Sequence, residues 1–247
     1  MREIILEIVK HTGGLGFINI VKVTDNDDET LIEAMDEDKS VIVKGRLQSP
    51  LGLFQGEFGM KDLGTVRGLV EHPSFKTDNA NLTVINQTDP SDEDKSIPVG
   101  IHFSSETGPS ATYRFMNSQL VPNQATFKGT NWDVSIKPTA SKIAEFASFS
   151  SLLSTEQLFM VDTEDKNLRF HLGNPEGTDH FATIVFAEDV KGVMNSGLYW
   201  PTSQVLAILK LSAADDIEMK ISARGAMMIT TTTDLAAWQY ILPARKK

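Results

Sequence analysis

The sequence predicts an α+β protein built from two tandem, similar domains. Three observations carry that expectation. Short segments rich in β-branched and aromatic residues, bounded by Asp, Asn, Gly or Pro, dominate the 247 residues. Only four stretches place apolar residues at helical spacing. The order of elements in residues 1–116 also returns in residues 139–243.

Each element has a local reason. The first helix opens the chain, with Ile4, Ile5, Ile8 and Val9 on one face. Strands are expected at 17–23 (FINIVKV), 41–47 (VIVKGRL) and 53–60 (LFQGEFGM). A second helix carries Leu63, Val66, Leu69 and Val70, although Gly64 and Gly68 weaken it. Strands at 82–86, 97–104 and 111–116 follow, and the acidic stretches 25–29 and 88–95 read as solvated hairpin tips. In the second half a helix carries Ile143, Phe146 and Ala147, with Leu152 and Leu153 near its end. Another carries Val205, Leu206, Ile208 and Leu209, with Pro201 suited to its first turn. Strands are expected at 157–162, 168–172, 181–187, 217–222, 226–232 and 238–242, with turn chemistry at 174–177 (NPEG).

The strand-to-helix joints of the halves align at a constant spacing. Residues 52–69 fall on 192–209, so Val66 meets Leu206 and Leu69 meets Leu209. A long repeat in two copies means two similar domains rather than a solenoid. The expected boundaries are 1–116 for domain one, 117–138 for a connector extended at 132–136, and 139–247 for domain two.

Composition narrows the class. Hydrophobic residues are 40% and charged residues 23%, usage that excludes wholesale disorder. No run approaches the ~20 apolar residues of a membrane span. The opening MREIILEIVK is interrupted by Glu3 and Glu7 and no small-residue cleavage site follows, so no secretory leader is expected and a cytoplasmic setting is. With no Cys, disulfides, thiol nucleophiles and cysteine metal sites are excluded. The net charge of −10 excludes a chain that coats nucleic acid over its whole surface. Contact with nucleic acid then requires basic residues gathered on one face.

Catalytic motifs are largely absent. The run at 13–16 (GGLG) lacks the third glycine of a dinucleotide loop and the Lys-Ser/Thr of a P-loop, and it follows a helix; a structural turn is expected. Asp25, Asp27 and Glu29 resemble the start of a calcium loop, but Thr30 stands at its sixth position and Asp36 at its twelfth, so a solvated hairpin tip is expected. His11, His72, His102, His171 and His180 form no metal-binding spacing. His171 and His180 fall in neighbouring expected strands near Asp179, but no third ligand is suggested and ordinary surface histidines are the favoured reading. No catalytic residue, metal or cofactor is therefore assigned.

Three segments sharpen the repeat. Residues 53–70 (LFQGEFGMKDLGTVRGLV) run a strand into a helix at Asp62. Residues 111–122 (ATYRFMNSQLVP) run a strand into the connector, and 238–247 (WQYILPARKK) close the chain. In this order they resemble the DNA polymerase sliding clamp family over nearly the whole chain, and its bacteriophage-encoded, trimeric branch most. The archaeal and eukaryotic branch is the close alternative. The resemblance implies an α+β clamp fold with antiparallel sheets outside and two helices per domain lining a central hole. It implies a non-enzymatic processivity factor in DNA replication. Such a homotrimeric ring encircles duplex DNA without reading sequence, is placed by a clamp loader ATPase and tethers the DNA polymerase. No membrane partner is implied, and the setting is the cytoplasm of an infected host cell, or the cytoplasm if the protein is cellular.

Site residues follow from that resemblance. Lys10, Lys61, Arg67, Lys137, Lys142 and Lys210 lie in or beside the four helices and are expected to face DNA, where a few cations hold phosphate without base contacts. Glu3, Glu7 and Glu145 share those helices and dilute the charge. The partner pocket of clamps lies between the domains, under the connector and beside the last strand. The matching residues are Met35, Val41 and Val43, then Leu120, Val121 and Pro122, and Ile241, Leu242 and Pro243. The charged tail Arg245, Lys246 and Lys247 is expected to steer acidic partners. Ring closure is expected to pair 111–116 with 180–186 of the next subunit, around Tyr113, Phe115, Phe181 and Ile184. Two other readings compete: a two-domain β-rich virion structural protein, and a metal-dependent hydrolase using His171 and His180.

Overall fold

The computed structural model describes residues 1–89, 92–106, 108–123, 125–174, 180–195 and 197–245, with the backbone alone for 92–95. Parts of the expected tip at 88–95 and turn at 174–177 lie outside the described residues, as do Asp179, Lys246 and Lys247.

The chain divides into two compact units. The first holds Met1–Ala125 with Thr233–Trp238, and the second holds Thr126–Thr232 with Gln239–Lys247. The first opens with α1 (Arg2–His11), then β1 (Val21–Asp25), β2 (Thr30–Met35), β3 (Ile42–Leu47) and β4 (Gly56–Met60). Next come α2 (Leu63–Glu71), β5 (Ala80–Asp89), β6 (Asp92–Ser105), β7 (Ala111–Arg114) and β8 (Met116–Asn117). The second begins with β9 (Val134–Ile136), α3 (Ala140–Leu152), β10 (Leu158–Glu164), β11 (Asn167–Leu172), β12 (Ala182–Ala187) and β13 (Tyr199–Pro201). It ends with α4 (Thr202–Leu209), β14 (Ile217–Ser222), β15 (Ala226–Thr232) and β16 (Ala236–Pro243), whose first residues count with the first unit.

Both units therefore follow one order: helix, three strands, a strand into a helix, three strands. β2 was not among the expected strands. Its run TLIEAM sits between acidic turns, and tertiary pairing with β1 and β3 decides it. The expected strand at 53–60 shortens to β4, because the chain at 52–56 bends through positive φ at Gly52, Gln55 and Gly56.

In the first unit the sheet order runs β8-β4-β1-β2-β3, beside a separate β5-β6-β7 sheet. In the second it runs β12-β11-β10-β13 and β16-β15-β14-β9. The hairpins β1–β2, β2–β3, β10–β11 and β14–β15 are all antiparallel, with Val23 opposite Ile32 in the first of them. Alternation sends Val21, Val23, Ile32 and Ala34 inward, as a half-buried sheet requires. α1 buries Ile5, Ile8 and Val9; α2 buries Leu63, Val66 and Val70. The expected apolar faces of α1 and α2 hold except that Ile4 and Leu69 stay partly exposed, whereas α3 buries only Ile143 and Phe146 of its expected face and leaves Leu152 exposed. Gly64 and Gly68 are tolerated in α2 because both lie on its exposed side. The second unit centres on Phe146, Phe159, Phe170, Phe186 and Trp200, all buried, with α4 supplying Val205, Leu206, Ile208 and Leu209.

The glycine run at 13–16 forms a short 3-10 turn. A Cβ on Gly13 would come within 2.7 Å of the Leu63 Cβ, so glycine lets the end of α1 approach the start of α2. That is packing rather than phosphate binding.

Candidate functional site

Within the first unit α1 packs against α2, and within the second α3 packs against α4. The cations fall on or beside these helices. Lys10 ends the exposed side of α1, Lys61 precedes α2, Lys137 precedes α3 and Lys210 follows α4; all four are exposed. Among the described residues none of the four has a carboxylate within ion-pair distance, although Lys137 acts on Glu218 at longer range. Arg67 and Lys142 differ. The Arg67 Nε lies 3.1 Å from Glu71, and the Lys142 Nζ 2.9 Å from Glu145.

Glu7 departs from expectation. It does not dilute the exposed side of α1, because it is buried. Its Oε1 accepts from the indole Nε1 of Trp238 at 3.0 Å and from the Thr233 hydroxyl at 2.7 Å. The His11 Nε2 lies 3.3 Å away, and the His11 ring stacks on Trp238 with centroids 4.7 Å apart. Burial lowers the His11 pKa from 6.5 to about 4, against the pull of Glu7 in the opposite direction. Gly45 lies beneath the same indole: a Cβ there would meet Trp238 at 2.4 Å.

The pocket residues separate into two groups. Met35 and Pro122 line one cavity of about 420 Å3 in the first unit, together with Asn19, Ile20, Asp36, Glu37, Lys39 and Asn123. Sequence reasoning missed these six. A signal existed in the turn chemistry of 36–40, just after Met35. There Asp36 Oδ1 accepts from the Val41 amide at 2.9 Å, Asp36 Oδ2 accepts from the Ser40 hydroxyl, and Glu37 accepts from Asn19 Nδ2 at 2.9 Å. Leu120 is 72% exposed and Pro243 is exposed.

Val41, Val43, Val121, Ile241 and Leu242 are instead buried. Leu242 is fully enclosed, with its carbonyl accepting from Trp200 Nε1 at 3.2 Å. The expectation that Leu242 forms an accessible pocket wall is corrected: inward alternation of β16 makes it core.

β7 and β12 are each the last strand of their sheet. The side chains named for ring closure mostly point elsewhere. Tyr113 is buried with its hydroxyl donating to the Lys61 carbonyl, and burial raises its pKa. Phe115 joins an aromatic cluster with Phe54 and Phe58, its ring stacked on Phe58 at 4.0 Å. Ile184 is core, and only Phe181 is well exposed.

The chemical motifs resolve into scaffolding. Buried Asp25 accepts from the amides of Phe54 at 2.9 Å and Gly52 at 3.3 Å, and from the Thr30 hydroxyl. It thus clamps the loop before β4, with both carboxylate oxygens engaged by the chain itself. His171 Nδ1 lies 3.0 Å from the Thr183 hydroxyl and its Nε2 lies 3.0 Å from Asp162, which also takes a two-pronged hydrogen bond from Arg169. Burial opposes ionisation of Asp162, but the hydrogen bonds from Arg169 and His171 outweigh it and hold the carboxyl below its ordinary range. His180 precedes β12 rather than lying in a strand. Among the described residues no group of three or more His, Asp or Glu has a metal-holding arrangement, and no helix is long and apolar enough to cross a membrane.

No family model matches the sequence, and no curated protein matches it. Solved structures do match in fold. PCNA from Thermococcus kodakaraensis superposes with a TM-score of 0.65 at 12% identity, covering 99% of this chain and 96% of that one. A. fulgidus PCNA, solved with the C-terminal region of FEN-1 bound, gives 0.66 at 8% identity over 98% and 95%. Proliferating cellular nuclear antigen from Entamoeba histolytica gives 0.62 at 8% identity over 99% and 94%. The chain thus has the two-domain α+β fold of these clamps along almost its entire length.

Proposed function

We propose that the protein is a sliding clamp subunit: three copies close into a ring around duplex DNA and tether a DNA polymerase. The near full-length likeness to PCNA folds carries this reading. Its role is mechanical, not enzymatic. Helix pairs in both units bring cations to the surface of a chain whose net charge is −10, so phosphate attraction is confined while most of the surface repels DNA. The open edges of β7 and β12 leave backbone donors and acceptors for pairing between copies.

The cavity beside Met35 and Pro122 suits a peptide from the polymerase that inserts an apolar anchor, with Leu120 nearby in sequence as an exposed contact. The C-terminal region of FEN-1 on A. fulgidus PCNA is a precedent for peptide capture. A clamp loader ATPase would open and place the ring. The sequence resembles the phage-encoded branch, while the matched structures are archaeal and eukaryotic; both branches use a threefold ring of two-domain subunits. The phage-encoded assignment puts the protein in the cytoplasm of the infected host.

Light scattering combined with plasmid retention tests the reading. The expected result is a mass of three chains. With its loader and ATP the protein should stay on nicked circular plasmid and be lost once the plasmid is linearised. A monomer, or retention indifferent to linearisation, would overturn it.

A further inference from the structure

The ion pairs on α2 and α3 are placed against the needs of the helices that carry them. Glu71 is the last residue of α2, where the helix dipole disfavours a negative charge. Lys142 is third in α3, where the dipole disfavours a positive one. Neither helix has an acid in its first turn or a base in its last. Arg67 precedes Glu71 by four residues, the less favourable order for such a pair. The four side chains are substantially exposed, at 57% and 42% for Arg67 and Glu71 and 29% and 39% for Lys142 and Glu145. Helix stability therefore does not account for the pattern. Each of these cations is held by a carboxylate on its own helix, whereas Lys10, Lys61, Lys137 and Lys210 are not among the described residues' ion pairs.

We propose that Glu71 and Glu145 restrain the grip on duplex DNA by occupying Arg67 and Lys142, so that phosphate must compete with a carboxylate for both. This rests on reading the helices as DNA-facing. A ring that slides needs weak, exchangeable phosphate contacts, and an intrahelical carboxylate supplies a ready alternative partner whenever a phosphate moves on. Glu71 and Glu145 are thus positioning residues that tune residence on DNA without touching it.

The test uses the full-length assembled protein and a fluorescein-labelled duplex, with anisotropy titrations over a salt series. Glu71→Gln with Glu145→Gln should tighten binding about tenfold at low salt, and steepen the log–log salt dependence by about 0.9 for each further phosphate neutralised. Glu188→Gln, an exposed carboxylate outside the helices, should do neither. In an Arg67→Ala, Lys142→Ala background the tightening should vanish, and tightening that persists there overturns the proposal in favour of general repulsion. Unchanged affinity in the glutamine variants, while Lys10→Glu with Lys210→Glu weakens binding, overturns the restraint and leaves the DNA reading standing. If none of these variants alters binding, the DNA-facing assignment falls as well.

Discussion

The two units share one order of elements but have different interiors. The first buries Glu7, His11, Asp25 and Asp36 among its polar residues, and each is engaged by neighbouring groups. Among its described residues the second buries His171 and no carboxylate, and it fills its centre with aromatic rings. A fold repeated twice thus tolerates two solutions: hydrogen-bonded polar clamps in one copy, close-packed rings in the other. The difference teaches that element order follows from backbone pattern, while pH sensitivity follows from what each copy encloses.

Three measurements probe that contrast, beginning with the largest effect. Phe146 lies 4.9 Å from Phe159, 5.2 Å from Phe170 and 6.0 Å from Phe186, ring to ring. Phe146→Ala should destabilise the second unit by about 3–5 kcal/mol, because the cavity left among rings collapses poorly. Hydrogen exchange in α3 and α4 should rise well before exchange in α1. Equal loss of protection in both units would erase the contrast.

The second measurement is pH. His11 titrates near 4 when folded and near 6.5 when unfolded, so between those values the unfolded chain binds more protons. Stability from neutral His11 is intact above about pH 6.5 and declines as pH falls toward 4. The whole interval corresponds to about 3 kcal/mol. In the second unit Asp162 is lowered below 3.8, so its contribution is present above that value and is lost only at still lower pH. Exchange in α1 should therefore accelerate between pH 6.5 and 4 while β10–β11 stays protected, and His11→Phe should flatten the response in α1. Matching pH profiles in the two units would contradict this.

The smallest effect sharpens the same point. Glu7→Gln keeps an acceptor for Trp238 and Thr233 but makes both hydrogen bonds neutral, costing about 1 kcal/mol. It also removes the group that raises the His11 pKa, so the acid loss should extend below pH 4. Urea unfolding followed by intrinsic tryptophan fluorescence reads both. No change in the acid limb would mean that Glu7 does not act on His11.

Hydrophobic spacing by itself determined the four helices, most strands and the twofold order, because one buried face forces apolar residues to recur at 3.6 or 2. The cations Lys10, Lys61, Lys137 and Lys210 follow from the clamp resemblance and their places in or beside the expected helices, and all four are exposed. Only the tertiary structure decided the rest. Glu7 looks like a surface charge in sequence and becomes core, because its partners Thr233 and Trp238 are far along the chain and no local pattern reports them. Leu242 looks like an accessible chain end and becomes core because β16 turns it inward beneath Trp200. The cavity at Met35 and Pro122 likewise gathers residues from 19 to 123, and its shape exists only once β2 and the connector have packed. Spacing is read along one strand or helix, whereas enclosure and charge pairing depend on neighbours that the chain brings together only by folding.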